Sequence, residues 1–421
     1  MSYHRARRLI SVMTLTAATA VAALVATQTA ATASAAVGTA VTHTAVTSTA
    51  VTTTITRAGC GATPASGFAA CNALLRTSKV HKDSGTSTTS GYIPSQLQAA
   101  YGLTAASAAD GSSQTIGIVD AYNDPTAAAD LAVYRSAYGL SACTVASGCL
   151  KVVSQTGSTT SLPSTDGGWA EEESLDLDMA SAVCPNCKII LVEATSSSYA
   201  SLGTAENEAV TLGAKVVSNS WGGSESSSET TYDTSYFNHS GVVITASSGD
   251  GGYGVEYPAA SKYVVAVGGT SLSTSTTASR GWTETAWSGA GSGCSTRETK
   301  ITGQSLVTTG CTRRAVADVS AVADPNTGVA VYDSTAYQGY VGWLQFGGTS
   351  VASPFIAGVF ALAGNESSVS NNTLYNYAGT SSLNDVTSGS NGSCSVSELC
   401  TATTGWDGPT GLGTPEGISA F

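Results

Sequence analysis

Short, continuous apolar runs alternate with longer stretches of helical periodicity from residue 91 onward. Continuous apolar runs are typical of strands that are buried on both faces of a sheet, and the stretches between them fit covering helices. The pattern therefore predicts an α/β fold of three layers, with a mostly parallel sheet flanked by helices. The predicted strands are Thr115–Asp120, Lys188–Ala194, Val216–Trp221, Val242–Ala246 and Val264–Gly268, and the predicted helices are Thr126–Tyr138 and Tyr199–Leu212.

A serine follows two glycines at the start of a long apolar helix, in Gly347-Gly348-Thr349-Ser350. Glycines permit a tight turn, and the free N–H groups at a helix start favour negative charge beside the serine hydroxyl. Pro354 follows early in the helix, where we expect its missing N–H to cost little. Two interpretations stay open at this point: Ser350 is a displayed nucleophile, or it is an ordinary N-cap of the helix.

The first 35 residues are typical of an export signal. Basic residues precede the apolar run Leu9–Ala26, and Ala33-Ser34-Ala35 fits a cleavage site. Residues 36–90 begin with a repetitive Ala/Val/Thr tract and form a low-complexity leader or a short propeptide. Residues 91–421 then form one domain. Because no later apolar run is long enough to span a membrane, we expect a secreted, extracellular monomer.

Charge and cysteine content agree with export. The chain has 29 acidic against 17 basic residues and no basic patch, which argues against nucleic acid as a partner. Ten cysteines occur in close pairs, and in an oxidising compartment this spacing predicts local disulfide bonds. A redox or zinc role for Cys184–Cys187 would need a second pair with metal spacing, which the sequence lacks. The predicted bonds are Cys60–Cys71, Cys143–Cys149, Cys184–Cys187, Cys294–Cys311 and Cys394–Cys400.

The histidines offer little support for a histidine base. A nucleophilic serine needs a base within hydrogen-bond reach, and histidine is the usual one. Of the four histidines, three precede the predicted domain and only His239 lies within it. His239 stands in a polar segment between a helix and a strand, so we interpret it as a surface residue. A Ser-His-Asp triad is therefore poorly supported.

An acidic segment offers a different base. In Gly168–Ala180, a helix would place Glu172 and Asp176 four residues apart on one face. Two adjacent carboxyls do not both ionise easily, so they share a proton and titrate as a pair. One of them can then accept the proton of Ser350 below neutral pH. The alternative is that the segment is a solvated acidic helix start, which the helix dipole also favours.

Four motifs, Glu172–Asp176, Ser218–Gly222, Ser248–Gly252 and Gly348–Pro354, follow one another along the chain. The same order is found in sedolisins, the serine-carboxyl peptidases with a subtilisin-like fold, and residues 91–421 resemble that family. The resemblance implies that Ser350 is the nucleophile, that Glu172 is the general base and that Asp176 orients Glu172. It also implies that Asp250 lines the oxyanion hole, and such a carboxyl must be protonated to donate, which favours acidic pH.

The same resemblance implies a calcium site near the C-terminus. Asp385 and Asp407 would supply carboxylate oxygens, and Val386, Thr403 and Gly405 would supply backbone carbonyls. A set of oxygen ligands on loops suits a hard cation such as Ca2+. Without the resemblance, Asp and Gly in these segments would be ordinary turn residues.

These observations predict a secreted, calcium-stabilised serine peptidase that acts on polypeptides. One alternative is a non-catalytic binding protein of the same fold at the cell surface. Another is a histidine-dependent serine esterase, although the chain lacks a Gly-x-Ser-x-Gly elbow at Ser350. Sedolisins carry a long folded propeptide, whereas the leader here is short. Either its activation differs, or the segment with Cys60 and Cys71 is a reduced propeptide.

Overall fold

A computed structural model describes residues 53–57, 60, 64–78 and 90–421. The predicted export signal, residues 1–35, lies outside the described residues, and the boundaries at residues 35 and 90 remain predictions. The strands are β1 Thr53–Arg57, β2 Ala70–Cys71, β3 Leu74–Ser78, β4 Thr115–Ala121, β5 Leu150–Ser154, β6 Lys188–Ala194, β7 Val216–Asn219, β8 Trp221–Ser224, β9 Val243–Ser247, β10 Glu256–Tyr257, β11 Val265–Thr274, β12 Trp282–Ala286, β13 Gly293–Cys294, β14 Ala315–Val316, β15 Val319–Val322, β16 Val329–Tyr337, β17 Tyr340–Gly347, β18 Leu383–Asn384 and β19 Thr414–Pro415.

The helices cover a central sheet and include one long buried pair. Their bounds are α1 Pro94–Ala100, α2 Thr104–Ala109, α3 Ala127–Ala137, α4 Gly167–Val183, α5 Tyr199–Thr211, α6 Glu229–Tyr232, α7 Thr349–Ala363 and α8 Asn371–Leu374. Among the described residues, no helix is both long enough and apolar enough to cross a membrane.

The central sheet has the strand order β12-β11-β9-β7-β4-β6-β5, with β15 beside β11. Its neighbours pair in parallel except β12, which is antiparallel to β11. Helices α4 and α7 pack against each other and against the sheet, and α5 packs on β4 and β6. The layered α/β fold predicted from the apolar runs is confirmed.

Strand β4 shows how the two helical layers are separated. A Cβ atom at Gly117 would lie 3.1 Å from the side chains of Ala209 and Ala214, so this face of β4 approaches α5 closely. Side chains alternate between faces along a strand. Ile116, Ile118 and Asp120 therefore lie on the opposite face of β4.

The predicted strand Val216–Trp221 is wrong in one respect, because it is two strands. The chain leaves the central sheet after Asn219, and Trp221 begins β8 in a different sheet. Ser220, between them, uses both its backbone carbonyl and its hydroxyl in contacts with other segments. A continuous apolar run in the sequence does not show that the chain passes from one sheet to another after Asn219.

Residues that precede the predicted domain also enter its sheets. β3 pairs antiparallel with β17 and with β1, and β2 pairs antiparallel with β8. The sheets thus formed have the orders β1-β3-β17-β16 and β10-β8-β2. The segment 64–78 is consequently built into the folded body.

All ten cysteines form the predicted disulfide bonds, and none is free. The Cys184–Cys187 pair is fully buried, which fits a structural bond. The prediction of local disulfides is confirmed.

Candidate active site

Helix α4 carries its acidic side chains into the protein interior. Asp166 caps the helix by accepting hydrogen bonds from the N–H groups of Gly168 and Trp169. Glu172 and Asp176 are both 0% exposed, and the whole stretch from Gly168 to Val183 is buried. The alternative of a solvated acidic helix is therefore wrong. Carboxyls without solvent must be protonated, paired or hydrogen bonded.

Ser350 is the second residue of α7, and Gly348 is the N-cap, so the interpretation of Ser350 as a helix cap is wrong. Gly348 has φ +99, a conformation that favours glycine. Pro354 lies inside α7, beyond its first turn, which corrects the expectation that an early position makes its missing N–H cost little. The carbonyl of Ser350 that Pro354 leaves free accepts a hydrogen bond from the hydroxyl of Ser220, at 3.3 Å.

Ser220 joins the nucleophile to the acidic helix. Its hydroxyl donates to Asp176 Oδ1 at 2.7 Å, and its backbone carbonyl accepts from Ser350 Oγ at 3.0 Å. Ser350, Ser220 and Asp176 are all 0% exposed. The break between β7 and β8 positions Ser220 for both contacts.

Burial raises the pKa of Glu172 well above its usual range. The neighbouring carboxyls of Asp176 and Asp120 raise it further, whereas interaction with the Ser350 hydroxyl opposes the shift. Burial likewise raises the pKa of Asp176, again with a contribution from Asp120. Asp120, at the carboxyl end of the predicted strand Thr115–Asp120, has its pKa raised to about 8 by burial. These three buried carboxyls therefore keep protons at a pH at which exposed carboxyls would be ionised.

Asp250 stands on the loop after β9, beside the start of α7. Its Oδ1 accepts from the N–H and the hydroxyl of Thr349, at 2.8 and 2.9 Å. Its Oδ2 is buried and has no hydrogen-bond partner among the described residues. Burial raises the pKa of Asp250 to about 7, so this oxygen carries a proton in acid. A protonated Oδ2 is a free donor beside the N–H groups that begin α7.

His239 lies apart from these groups. Its Nε2 is 2.9 Å from the carbonyl oxygen of Tyr236, and it lines a different cavity, together with Lys262 and Asn371. Burial lowers the pKa of this imidazole. Within the described part of the chain, no histidine contacts Ser350, which argues against the esterase alternative.

Two residues of this site had no role in the sequence-based prediction. Ser220 and Thr349 both stood inside the motifs, where neighbouring residues took the assigned roles. Ser220 binds the nucleophile and Asp176, and Thr349 fixes Asp250. A hydroxyl within a motif was the available signal, but serine and threonine are too common in this chain for that signal to be specific.

The residues predicted to bind calcium lie on two neighbouring loops. The N–H of Gly405 donates to Asp385 Oδ2 at 3.0 Å, and the N–H of Thr403 donates to Asp407 Oδ2 at 3.2 Å. Burial raises the pKa of Asp407 to about 7, and the charge of Asp385 contributes to the rise. Asp407 Oδ1 also accepts from the N–H and the hydroxyl of Thr410. The oxygen ligands of the predicted set are of the type that a hard divalent cation prefers.

A second acidic group lies elsewhere in the protein. Carboxylate oxygens of Asp124, Asp130 and Asp333 lie within 4.8 Å of one another, and all three residues are buried. Hydroxyls of Thr126 and Ser334 hydrogen bond to this group. Such a group could hold a metal ion, but these hydroxyls already supply many of its hydrogen bonds.

Comparison with known proteins gives concordant matches. The subtilase family of peptidases matches residues 157–393. Kumamolisin from Bacillus sp. (strain MN-32) is 31% identical over 348 residues, which cover 73% of this chain and 59% of that protein. Sedolisin from Pseudomonas sp. (strain 101) is 29% identical over 366 residues, which cover 77% of this chain and 60% of that protein. The chain thus spans about three-fifths of the length of these curated relatives.

The structural comparison agrees. A structure of Pseudomonas sedolisin, a serine-carboxyl proteinase complexed with pseudo-iodotyrostatin, superposes with a TM-score of 0.66 at 28% identity. The match covers 78% of this chain and 96% of that one. The fold, the matched family and the relatives confirm the resemblance drawn from the four motifs. The chain therefore belongs to the subtilase family of peptidases and, within it, to the sedolisins.

Proposed function

We propose that this protein is a serine-carboxyl peptidase, in which Ser350 attacks the peptide bond and Glu172 is the general base. The observation that carries the proposal is the contact of Ser350, through Ser220, with the buried Glu172/Asp176 pair. Family membership and the four ordered motifs support it. The position of His239 leaves the carboxyls as the available proton acceptors among the described residues.

The proposed reaction begins when Ser350 Oγ attacks the carbonyl carbon of the substrate. Its proton passes to the carboxylate of Glu172, and Asp176 shares the resulting charge and proton. The oxygen of the tetrahedral intermediate is stabilised by the N–H of Ser350 and by protonated Asp250. Glu172 then returns the proton to the departing amine, and water hydrolyses the ester by the same route. The serine and both carboxyls are regenerated.

This arrangement is suited to acid. Glu172 must lose its proton before it can act as a base, and burial opposes that loss by raising its pKa, whereas Asp250 must keep its proton to donate. Because the pKa of Asp250 is raised to about 7, its donor is lost as the pH rises through neutrality. We therefore propose an optimum on the acid side of neutrality, where Asp250 sets the upper limit of activity and ionisation of the Glu172/Asp176 pair sets the lower limit.

We also propose that Asp385 and Asp407, with the carbonyls of Val386, Thr403 and Gly405, hold Ca2+. The cation would neutralise the two repelling carboxylates and fix both loops beside the strand pair β18–β19. It would have a structural role, because no residue of this set belongs to the site around Ser350.

Export is the remaining part of the proposal. The predicted signal at residues 1–35 and five disulfide bonds among the described residues support a secreted enzyme, since disulfides persist in oxidising surroundings. Polypeptides are then the substrates that the enzyme would meet outside the cell.

The decisive experiment measures hydrolysis of an unfolded protein from pH 3 to pH 8. We expect Ser350→Ala and Glu172→Gln each to lower kcat by about a thousandfold or more. Ser353→Ala, a buried serine on the same helix, is the matched control and should retain most activity. Full activity in Ser350→Ala would refute the proposal. A folded wild-type protein without activity at any pH would favour the binding-protein alternative.

A further inference from the structure

The leader segment lies across the site as an added strand. Ala70 pairs with Gly222 and Cys71 with Trp221, in the antiparallel ladder between β2 and β8. The N–H of Asn72 then donates to the carbonyl of Ser220 at 3.0 Å. Strand addition of this kind is a general mode by which proteins capture extended peptides.

The carbonyl of Asn72 lies where the proposed reaction needs its electrophile. Its oxygen accepts a 3.0 Å hydrogen bond from the N–H of Ser350. A Cβ atom placed on Gly348 would lie 2.1 Å from this oxygen and 2.6 Å from Asp250 Oδ2, so the two oxygens share one small space. Asn72 O therefore faces both donors that are proposed to stabilise the oxyanion.

We infer that residues 64–78 occupy the cleft as a tethered substrate that presents the Asn72–Ala73 peptide bond to Ser350. We further infer that the adjoining pocket selects an uncharged amide side chain immediately before the bond that is cut. This inference rests on the proposed function, and it adds the bond, the specificity and the residues that confer it.

The side chain of Asn72 is held by specific polar contacts. Its Nδ2 donates to Ser247 Oγ at 3.0 Å and to Glu256 Oε2 at 3.2 Å, and the residue is only 1% exposed. Cβ atoms added to Gly222 or Gly249 would collide with Glu256, so the Glu256 side chain forms a close wall of the pocket. A carboxylate side chain at position 72 would have no proton to donate to Glu256. An aliphatic side chain there would leave Ser247 Oγ and Glu256 Oε2 without their hydrogen-bond donor.

The chain is held on both sides of the Asn72–Ala73 bond. Before it, the sulfurs of Cys60 and Cys71 and a carboxylate oxygen of Glu172 lie within 4.8 Å of one another, so the disulfide covers the proposed base. After it, Leu74, Leu75 and Arg76 pair with Gly347, Phe346 and Gln345. Strand β17 leads directly into the turn that presents Ser350, which fixes the following residues relative to the nucleophile.

The proposed step conserves atoms and protons. Ser350 Oγ forms an ester with the carbonyl carbon of Asn72 as the bond to the nitrogen of Ala73 breaks. The serine proton reaches that nitrogen through Glu172, which creates a new amine at Ala73. Water then hydrolyses the ester, which leaves a carboxyl group on Asn72 and restores Ser350.

The first test follows the leader itself. Full-length wild type and Ser350→Ala are incubated at acidic pH, and the new N-terminus is read by intact mass and N-terminal sequencing. We expect a chain that begins at Ala73 in wild type and no such chain in Ser350→Ala. Wild type that hydrolyses an added peptide but keeps its leader intact, or cuts it at another bond, overturns this inference and leaves the proposed function standing. Loss of both reactions contradicts the proposed function.

The second test measures specificity with peptides that differ only in the residue before the cut. We expect kcat/KM for Asn to exceed that for Asp or Leu about tenfold or more. Glu256→Ala should reduce this preference, because it removes one of the two acceptors of the amide. In the leader, Asn72→Gln retains the amide and should be cut faster than Asn72→Leu. Equal rates for Asn, Leu and Lys peptides would overturn the selectivity.

Discussion

The hydroxyl of Ser350 donates its hydrogen bond to the backbone carbonyl of Ser220, 3.0 Å away. The same carbonyl accepts the N–H of Asn72, so one oxygen contacts both the nucleophile and the strand that lies in the cleft. For the proposed reaction, Ser350 must rotate from this carbonyl toward Glu172. Ser220 is thus a positioning residue: its carbonyl accepts hydrogen bonds from Ser350 and Asn72, and its hydroxyl donates to Asp176.

Replacing Ser220 with alanine should alter the titration of the acid pair. Its hydroxyl donates to Asp176 Oδ1 and lowers the pKa of that carboxyl against the effect of burial. Without this hydrogen bond to a charged group, we expect the acid limb of kcat/KM to move up by about one pH unit. The measurement is a pH–rate profile, with Ser218→Ala as a buried control. An unchanged acid limb would argue against the role of Ser220.

Asp250→Asn should extend activity toward alkaline pH. The wild-type carboxyl donates only while it is protonated, and its pKa is raised to about 7, whereas an amide donates at every pH. We expect the variant to keep a larger fraction of its own optimum at pH 8 than wild type does. Asp250→Ala lacks any donor and should lose about a hundredfold or more in kcat. Superimposable alkaline limbs for wild type and Asp250→Asn would exclude the donor role.

The folded protein should be more stable in acid than at pH 8. Burial raises the pKa values of Asp120, Glu206 and Asp333 to about 8, so their protons are retained in the folded chain but lost near pH 4 when the chain unfolds. Stability is therefore greatest below the unfolded pKa and falls as the pH rises to about 8.

Thermal melts from pH 4 to pH 8 check this dependence. We expect Tm to fall by several degrees over the range. Glu206→Gln should flatten the curve, because a glutamine can still accept the hydrogen bond from Asn219. Asp110→Asn, at an exposed position, is the control and should not alter the slope. A Tm that rises from pH 5 to pH 8 would contradict the prediction.

Removal of calcium should destabilise the C-terminal loops. Binding at a hundred times Kd stabilises a folded protein by about 2.7 kcal/mol, so a chelator should lower Tm by several degrees. Asp385→Asn should lower Tm in calcium and make it insensitive to the chelator. Asp110→Asn again provides the control. Identical melting curves with calcium and with chelator in wild type would remove the proposed site.

Much of this fold could be predicted because the decisive patterns are local. The apolar runs predicted the central strands, since a strand buried on both faces needs few polar residues. The spacing of Glu172 and Asp176 predicted one shared helix face, and short cysteine separations predicted every disulfide bond. Each of these patterns lies within a single segment of the chain.

The missing parts depend on pairing between distant segments. β2 contains only Ala70 and Cys71, too few residues to show alternation, and its partner β8 is far along the chain. Glu256 had no signal of its own, because its role depends on where Asn72 lies. The acidic residues of α4 are buried, whereas charged residues are usually exposed, so their residue type alone did not predict their burial. Contacts of this kind are visible only when the chain is folded.

The pairing of β3 with β17 has a kinetic consequence for a cut leader. Residues after the Asn72–Ala73 bond stay hydrogen bonded to Gln345–Gly347, so the new amine does not diffuse away. Attack of this retained amine on the ester at Ser350 reverses the cut and competes with water. We expect intact and nicked chains to interconvert until β3 detaches, so that religation, and not bond breaking, sets the lag before full activity. A shorter lag in variants with a weakened β3–β17 pairing would show that religation sets the lag.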